Sequence, residues 1–237
     1  MTAAVETLDL GRHFGSIKAV DGVSFTVQTG EVLGFLGPNG AGKSTTMKML
    51  SCFLEPSFGT ANLGGYNIQT QSRDVRRILG YLPENAPLYG EMEVGEFLSF
   101  IASVRDLNHP RQAVDRVVEM TSLGNVFQQR IESLSKGYKR RVGLAQALIH
   151  DPAILILDEP TDGLDPNQKY EVRQLIRSMR EQKCIILSTH ILEEVDEVCN
   201  RVVIIARGKV VADAMPNLLK QQAVSGRLDD VFRQITA

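Results

Sequence analysis

The sequence predicts an α/β fold: a parallel sheet wrapped by helices, with an N-terminal antiparallel β subdomain and an inserted α-helical subdomain. Three observations predict it. Short apolar, β-branched runs alternate with helical patterns, as they do where helices cross over between parallel strands. From about residue 93 to residue 150 the pattern is helical throughout, which reads as an insertion into that core. Residues 5–10 and 23–27 alternate in polarity, as antiparallel strands with one wet face do. The expected organisation is one domain over residues 1–237. An α/β core would take 1–83 and 151–215, the helical subdomain 84–150, and a C-terminal appendage 216–237.

The elements follow in order. After the two alternating segments, residues 32–36 form an apolar run suited to a buried strand, and it leads directly into a glycine-rich loop. Residues 43–50 continue as a helix. In the insertion, Val94, Phe97, Leu98 and Ile101, then Val114, Val117 and Val118, recur at helical spacing. Residues 153–158, 184–188 and 202–206 are three further short apolar strands. Between the first two lies a helix over 167–180, opened by Asp165-Pro166, with proline suited to a first turn. Leu228-Asp229-Asp230-Val231-Phe232 reads as a short amphipathic appendage, and no internal repeat or low-complexity tract interrupts the chain.

Composition narrows the function. The chain has 237 residues, 43% hydrophobic and 23% charged, close to globular averages. A net charge of −2 argues against broad electrostatic capture of nucleic acid. The longest apolar runs fall far short of the roughly 20 residues a membrane helix needs. Glu6 and Asp9, without an apolar stretch, do not make a secretory signal. Cys52, Cys184 and Cys199 are odd in number and widely spaced, and read as reduced core thiols of a cytosolic protein.

Gly37-Pro38-Asn39-Gly40-Ala41-Gly42-Lys43-Ser44 fits G-x-x-x-x-G-K-[ST], with a strand before it and a helix after it. Glycines let the backbone curl so that successive N–H groups converge on phosphate oxygens. The helix that follows presents unpaired N–H groups and its positive dipole end to the same anion. Lys43 would neutralise the β- and γ-phosphates of ATP, and the Ser44 hydroxyl would ligate Mg²⁺.

Residues 154–157, all apolar, run straight into Asp158-Glu159. Buried carboxylates without compensation are costly, so two acids at a strand end point to a cation or a reaction. Asp158 would hold Mg²⁺, and Glu159 would orient and deprotonate the attacking water. Ser188-Thr189-His190 ends another strand, at the sheet edge where open α/β proteins place ligands, which suits His190 as a γ-phosphate contact.

Together these residues resemble the nucleotide-binding subunit of ATP-binding-cassette (ABC) transporters, over essentially the whole chain. Leu134-Ser135-Lys136-Gly137-Tyr138 is similar to the family signature, residues 160–166 to its D-loop, and His190 to its switch histidine. The resemblance implies a P-loop NTPase with a RecA-like core and adds Thr45, after Ser44, to the nucleotide contacts. Phe14 stands where the family stacks an aromatic on adenine; a plain strand-end core aromatic is the other reading. It also implies head-to-tail pairing with a second copy or a second cassette. There Ser135 and the N–H of Gly137 would form an anion site for the partner's nucleotide.

Two departures from the family wording stand out. Lys136 and Tyr138 replace a glycine and a glutamine of the signature, and Lys136 adds positive charge beside the anion site. Glu84 stands in place of the Q-loop glutamine, as an oxygen ligand for Mg²⁺ or as a solvated loop acid. The wording around Pro87-Leu88-Tyr89 and the signature resembles the branch that serves ABC-2-type exporters. The implied partner is an integral membrane permease, docked near the exposed apolar Pro87, Leu88 and Tyr89. The chain would then lie in the cytoplasm, peripheral to the membrane. A soluble cassette acting on nucleic acid or ribosomes and a non-transport nucleotide switch are the alternatives. Lys139-Arg140-Arg141 reads equally as support for the signature loop or as a solvated face. Met47 and Met49 read as core filler, and His109 and His150 are assigned no role.

Overall fold

The computed structural model describes residues 3–221, 223 and 226–236. Residues 222, 224, 225 and 237 of the expected C-terminal appendage, and residues 1 and 2 of the expected domain, lie outside the described residues.

Two long strands, β1 (Val5–Phe14) and β2 (Ile17–Val27), form an antiparallel hairpin. The hairpin extends well beyond the segments that alternation picks out. Asp9 sits at φ 50, and the β1–β2 register shifts between Thr7 and Leu10, so the period-2 pattern breaks there. Next come β3 (Val32–Leu36), α1 (Lys43–Leu50), β4 (Phe58–Leu63), β5 (Tyr66–Asn67), α2 (Ser72–Ile78) and β6 (Leu79–Leu82). Helices α3 (Val94–Val104), α4 (Pro110–Met120) and α5 (Lys136–Leu148) make the insertion. The insertion is not helical throughout. Between α4 and α5 lie only 3-10 turns at Gly124–Val126 and Ile131–Ser133, and a bridge joins Glu93 to Arg130. The chain then returns through β7 (Ile154–Asp158), α6 (Pro166–Met179), β8 (Cys184–Thr189), α7 (Leu192–Val198), β9 (Arg201–Ala206) and β10 (Lys209–Ala214). It closes with α8 (Pro216–Lys220) and α9 (Leu228–Thr236).

The strands make two sheets. One is antiparallel, in the order β2-β1-β4-β5. The other runs β10-β9-β3-β8-β7-β6 and is parallel except for β10, an antiparallel edge that the sequence pattern did not reveal. Every residue of β3, β7 and β8 is buried. That explains their continuous apolar runs, since helices cover both faces of a parallel sheet. Each large side chain so buried contributes about 1.5–3 kcal/mol.

Caps set where the helices start. Asp165 caps α6 through Gln168 N, with Pro166 in the first turn and Gln168 closing a capping box. Leu228 and Val231 of α9 pack with Leu36, Ile204 and Leu219, so this helix shares a core with β3 and β9. Cys184 is buried and Cys52 and Cys199 partly so; all three are free thiols, and burial pushes the Cys184 thiol up to about 12. Met47 and Met49 are fully buried, as core filler should be.

His150, assigned no role from the sequence, closes the insertion. Its Nε2–H donates to the Leu79 carbonyl at 3.1 Å, while Nδ1 is buried without a partner. Burial, and then the Arg105 guanidinium, push its pKa down to about 4. The folded value thus lies below the ordinary value of about 6.5, so the unfolded chain binds more protons between them. This stability is fully present above about pH 6.5 and is lost as pH falls toward 4, by roughly 2 kcal/mol after allowing for solvent at the half-buried ring. Urea midpoints at pH 7 and pH 4.5 are expected to differ more for the wild type than for His150→Gln. Equal differences would sink the assignment.

Candidate functional site

The ends of β3, β7 and β8 lie side by side in the parallel sheet, and the site grows from them. Asp158 is in register with Ser188, and Leu36 with Thr189. The loop after β3 leads into α1, whose N-cap is Gly42 at φ 108, with no side chain capping the first turn. The N–H groups of that turn are therefore left for an anion. Gly42 is required twice over: its φ is left-handed, and a Cβ would come within 2.4 Å of the Ala19 carbonyl.

Lys43 is 7% exposed, and its Nζ donates to the carbonyls of Gly37 at 2.7 Å and Pro38 at 3.2 Å. It also lies 4.0 Å from Glu159 Oε1. Burial pulls this ammonium below its ordinary pKa, against the opposing pull of Glu159, Asp158 and Glu84. Incoming phosphate charge would act in the same sense as those carboxylates.

Glu159 is buried, and the His190 Nδ1 lies 2.9 Å and 3.0 Å from its two carboxylate oxygens. The Glu159 backbone is left-handed, at φ 52, and its N–H donates to the Ser188 carbonyl at 2.9 Å. A non-glycine residue in that region costs about 1–2 kcal/mol and persists where its surroundings hold it. Thr189, next to His190, is tied to the residue after Pro160 by a buried carboxylate. Glu194 accepts from Thr189 Oγ1 at 2.7 Å and from Thr161 Oγ1, and its burial raises its pKa.

Asp158 is 1% exposed, and its Oδ1 is buried with no hydrogen-bond partner; the neighbouring Ser188 hydroxyl is in the same position. An unpartnered carboxylate oxygen is costly unless a cation or water takes the lone pair. Among the described residues no group of three His, Cys, Asp or Glu side chains could cage a metal alone. That donor set fits Mg²⁺ brought by phosphate, which typically uses one or two protein oxygens and fills its shell with phosphate and water.

A cleft of about 490 Å³ brings most of these groups together. Asn39, Gly40, Gly42, Lys43, Ser44 and Thr45 line one side; Glu84, Glu159 and His190 face them, with Ala19 and Asp162 at the margin. Gly37, Pro38 and Ala41 complete the loop, and the Ala41 N–H donates to Pro38 O at 3.2 Å. Gly37, Pro38, Ala41 and the buried Asp158 are not among the lining residues, and neither are Phe14, Ser135 and Gly137. Phe14 is 46% exposed at the end of β1, with the Arg12 guanidinium 4.7 Å over its ring, so the core reading of this aromatic is wrong. Ser135 caps its own helix through Tyr138 N at 3.4 Å. Gly137 is buried where a Cβ would meet the Gln168 side chain at 2.3 Å.

Two basic residues have partners that the sequence reading did not name, and for Arg140 the structure removes the solvated-face alternative. Lys136 does not stand free beside the anion site: its Nζ pairs with Asp162 at 2.8 Å, which lowers the Asp162 pKa. Arg140 is not on a solvated face but 8% exposed, inside the molecule. No local pattern marks either partnership, because Lys136 and Asp162 are 26 positions apart.

Residues 20–162 match the sequence model of the family described as ABC transporter. The chain is 38% identical over 229 residues to the probable multidrug ABC transporter ATP-binding protein YbhF of Escherichia coli (strain K12), covering 95% of this chain and 39% of that protein. It is 36% identical over 224 residues to the bacitracin transport ATP-binding protein BcrA of Bacillus licheniformis, covering 94% of this chain and 73% of that one. Among solved structures, the ATP-binding subunit of an ABC transporter superposes with a TM-score of 0.88 at 29% identity, over 100% of both chains. The chain thus spans about two fifths of the length of YbhF.

Proposed function

The chain belongs to the ABC transporter family and is one of its ATP-binding cassette ATPases, and from that premise we propose that it drives export through a separate membrane permease. One observation carries the mechanistic part: Lys43, Glu159 and His190 converge on one cleft at the mouth of the phosphate loop.

Physical chemistry assigns the roles. The N-terminal turn of α1, Lys43 and the loop N–H groups hold the phosphates of ATP. Asp158, Ser44 and Glu84 would hold Mg²⁺, which supplies charge neutralisation to the β- and γ-phosphates when bound. Glu159 accepts the proton of the attacking water, and His190 orients that carboxylate through Nδ1 while its Nε2 is left for phosphate. Phe14 offers an exposed ring for adenine.

Ser135 and Gly137 lie outside the cleft, so the second half of the site would come from another cassette, paired head to tail. No helix among the described residues is long and apolar enough to cross a membrane; in the proposed reading, movement across lipid belongs to the permease. Pro87 and Tyr89 are exposed while Leu88 is half-buried, and the Tyr89 ring packs edge-on to Phe97 and to Phe100, which is 42% exposed. This aromatic face of the insertion, next to a cleft of about 550 Å³ between α2 and α5, suits a docking segment of the permease.

The purified chain is expected to release phosphate from MgATP, and a tagged copy is expected to recover an integral membrane protein from solubilised membranes. Phosphate release without any membrane partner would favour the nucleic-acid- or ribosome-linked reading, and MgATP binding without phosphate release the nucleotide-switch reading.

A further inference from the structure

The reading of Glu159 as the base leaves open what holds its left-handed backbone in place. Arg140, in the second turn of α5, points into the molecule and spends all its N–H groups on main-chain carbonyls. Nε donates to Pro160 at 3.3 Å; Nη1 donates to Pro83 and to Glu84, each at 2.7 Å. Nη2 donates to Glu159 at 2.6 Å and to Asp158. A guanidinium has five N–H donors in a fixed fork, so its hydrogen-bonding capacity is filled.

No carboxylate among the described residues lies within ion-pair distance of Arg140. Burial disfavours the charged guanidinium, and the more distant Asp158, Asp162, Glu159 and Glu84 carboxylates oppose that cost only in part, which makes a purely decorative role physically expensive. The five carbonyls belong to two separate segments: Pro83 and Glu84 in the loop after β6, and the consecutive residues Asp158, Glu159 and Pro160 at and just after the end of β7. Arg140 is the one side chain bonded to both among the described hydrogen bonds. The Glu159 peptide is held from both sides, by the Ser188 carbonyl at its N–H and by Arg140 at its carbonyl.

We infer that Arg140 is a positioning residue for hydrolysis: it fixes the distance between the Glu84 loop and the Glu159 carboxylate by clamping both backbones to the signature helix. This rests on the reading of Glu159 as the base. The clamp acts on where Glu159 and Glu84 stand, not on the phosphate loop, whose contacts Arg140 does not share. Its loss therefore affects turnover far more than nucleotide affinity.

The test is MgATP turnover and fluorescent ATP-analogue binding for wild type, Arg140→Lys, Arg140→Gln and Arg140→Ala, with near-UV circular dichroism to fix the folded fraction. A misplacement of about 1 Å can cost about 10²-fold in rate. Arg140→Ala is expected to lower kcat per folded molecule by that order, with Kd changed less than threefold. Lys and Gln should recover rate partially, since each offers fewer donors than five. If Arg140→Ala does not fold, Arg140→Lys carries the test, with reduced kcat and unchanged Kd expected. A variant series with wild-type kcat per folded molecule, or with Kd weakened as much as kcat, would overturn the inference. An inactive wild type would instead overturn the ATPase reading beneath it.

Discussion

Replacing Glu159 by glutamine is expected to lower ATP turnover about 10³-fold while leaving ATP affinity intact, the loss expected when a positioned general base is removed. Glutamine has the shape of glutamate, and the left-handed backbone that Ser188 and Arg140 hold makes no demand on the side-chain charge. What disappears is the proton acceptor that lies against His190 and 4.0 Å from Lys43. ATP then stays bound. If a second cassette completes the site, the variant accumulates as an ATP-bound homodimer, because the step that would release the partner no longer occurs. Gel filtration with saturating MgATP should show the dimer for Glu159→Gln and less of it for wild type. Only monomer under those conditions would count against the paired arrangement, and unchanged phosphate release would remove Glu159 from the base position.

What the sequence discloses here follows chain contiguity. The strand over 32–36, the glycine loop and α1 are continuous, so residue type and order reveal both the element and its chemistry. The same holds for β7 running into Asp158-Glu159 and β8 into His190. Elements without such a pattern are lost: Leu79–Leu82 is too short to show a period, and Lys209–Ala214 is an edge that alternates only between exposed and half-buried positions, with no buried face to mark it. The β1–β2 hairpin is truncated in a sequence reading because the irregularity at Asp9 shifts Leu10 and the residues after it out of the phase set by Val5 and Thr7. Arg140 shows the same limit in the site. It sits in a basic run that looks solvated, yet its carbonyl partner Pro83 is 57 positions away. A guanidinium that hydrogen-bonds backbone rather than carboxylates has no local charge partner in the sequence, and the acids that act on it, Asp158, Asp162, Glu159 and Glu84, are brought near only by the fold. Lys136 errs in the other direction: its charge is legible, but its partner Asp162 is brought to it only by the fold.

Removing the ammonium, by Lys43→Ala, is expected to act on both binding and turnover, and so to give a signature opposite to that of Glu159→Gln. Lys43 Nζ is held by the Gly37 and Pro38 carbonyls at the floor of the loop, so the charge is placed before any phosphate arrives. A charge-assisted hydrogen bond of this kind contributes about 1.5–3 kcal/mol, which converts to roughly 10- to 100-fold in ATP affinity. Turnover should fall further, to about 10³-fold below wild type, since charge that develops in the transition state also loses its counter-ion. Fold stability should change little, because the Lys43–Glu159 contact is long at 4.0 Å and His190 still pairs with Glu159. Lys43→Arg separates charge from shape: a planar fork cannot replace a compact ammonium between two carbonyls, so affinity should recover in part and turnover hardly at all. The measurements are nucleotide Kd, steady-state phosphate release and a thermal melt on the same preparations. If Lys43→Ala kept wild-type affinity while Glu159→Gln lost it, the division of labour between the phosphate loop and the strand-end carboxylate would have to be reversed.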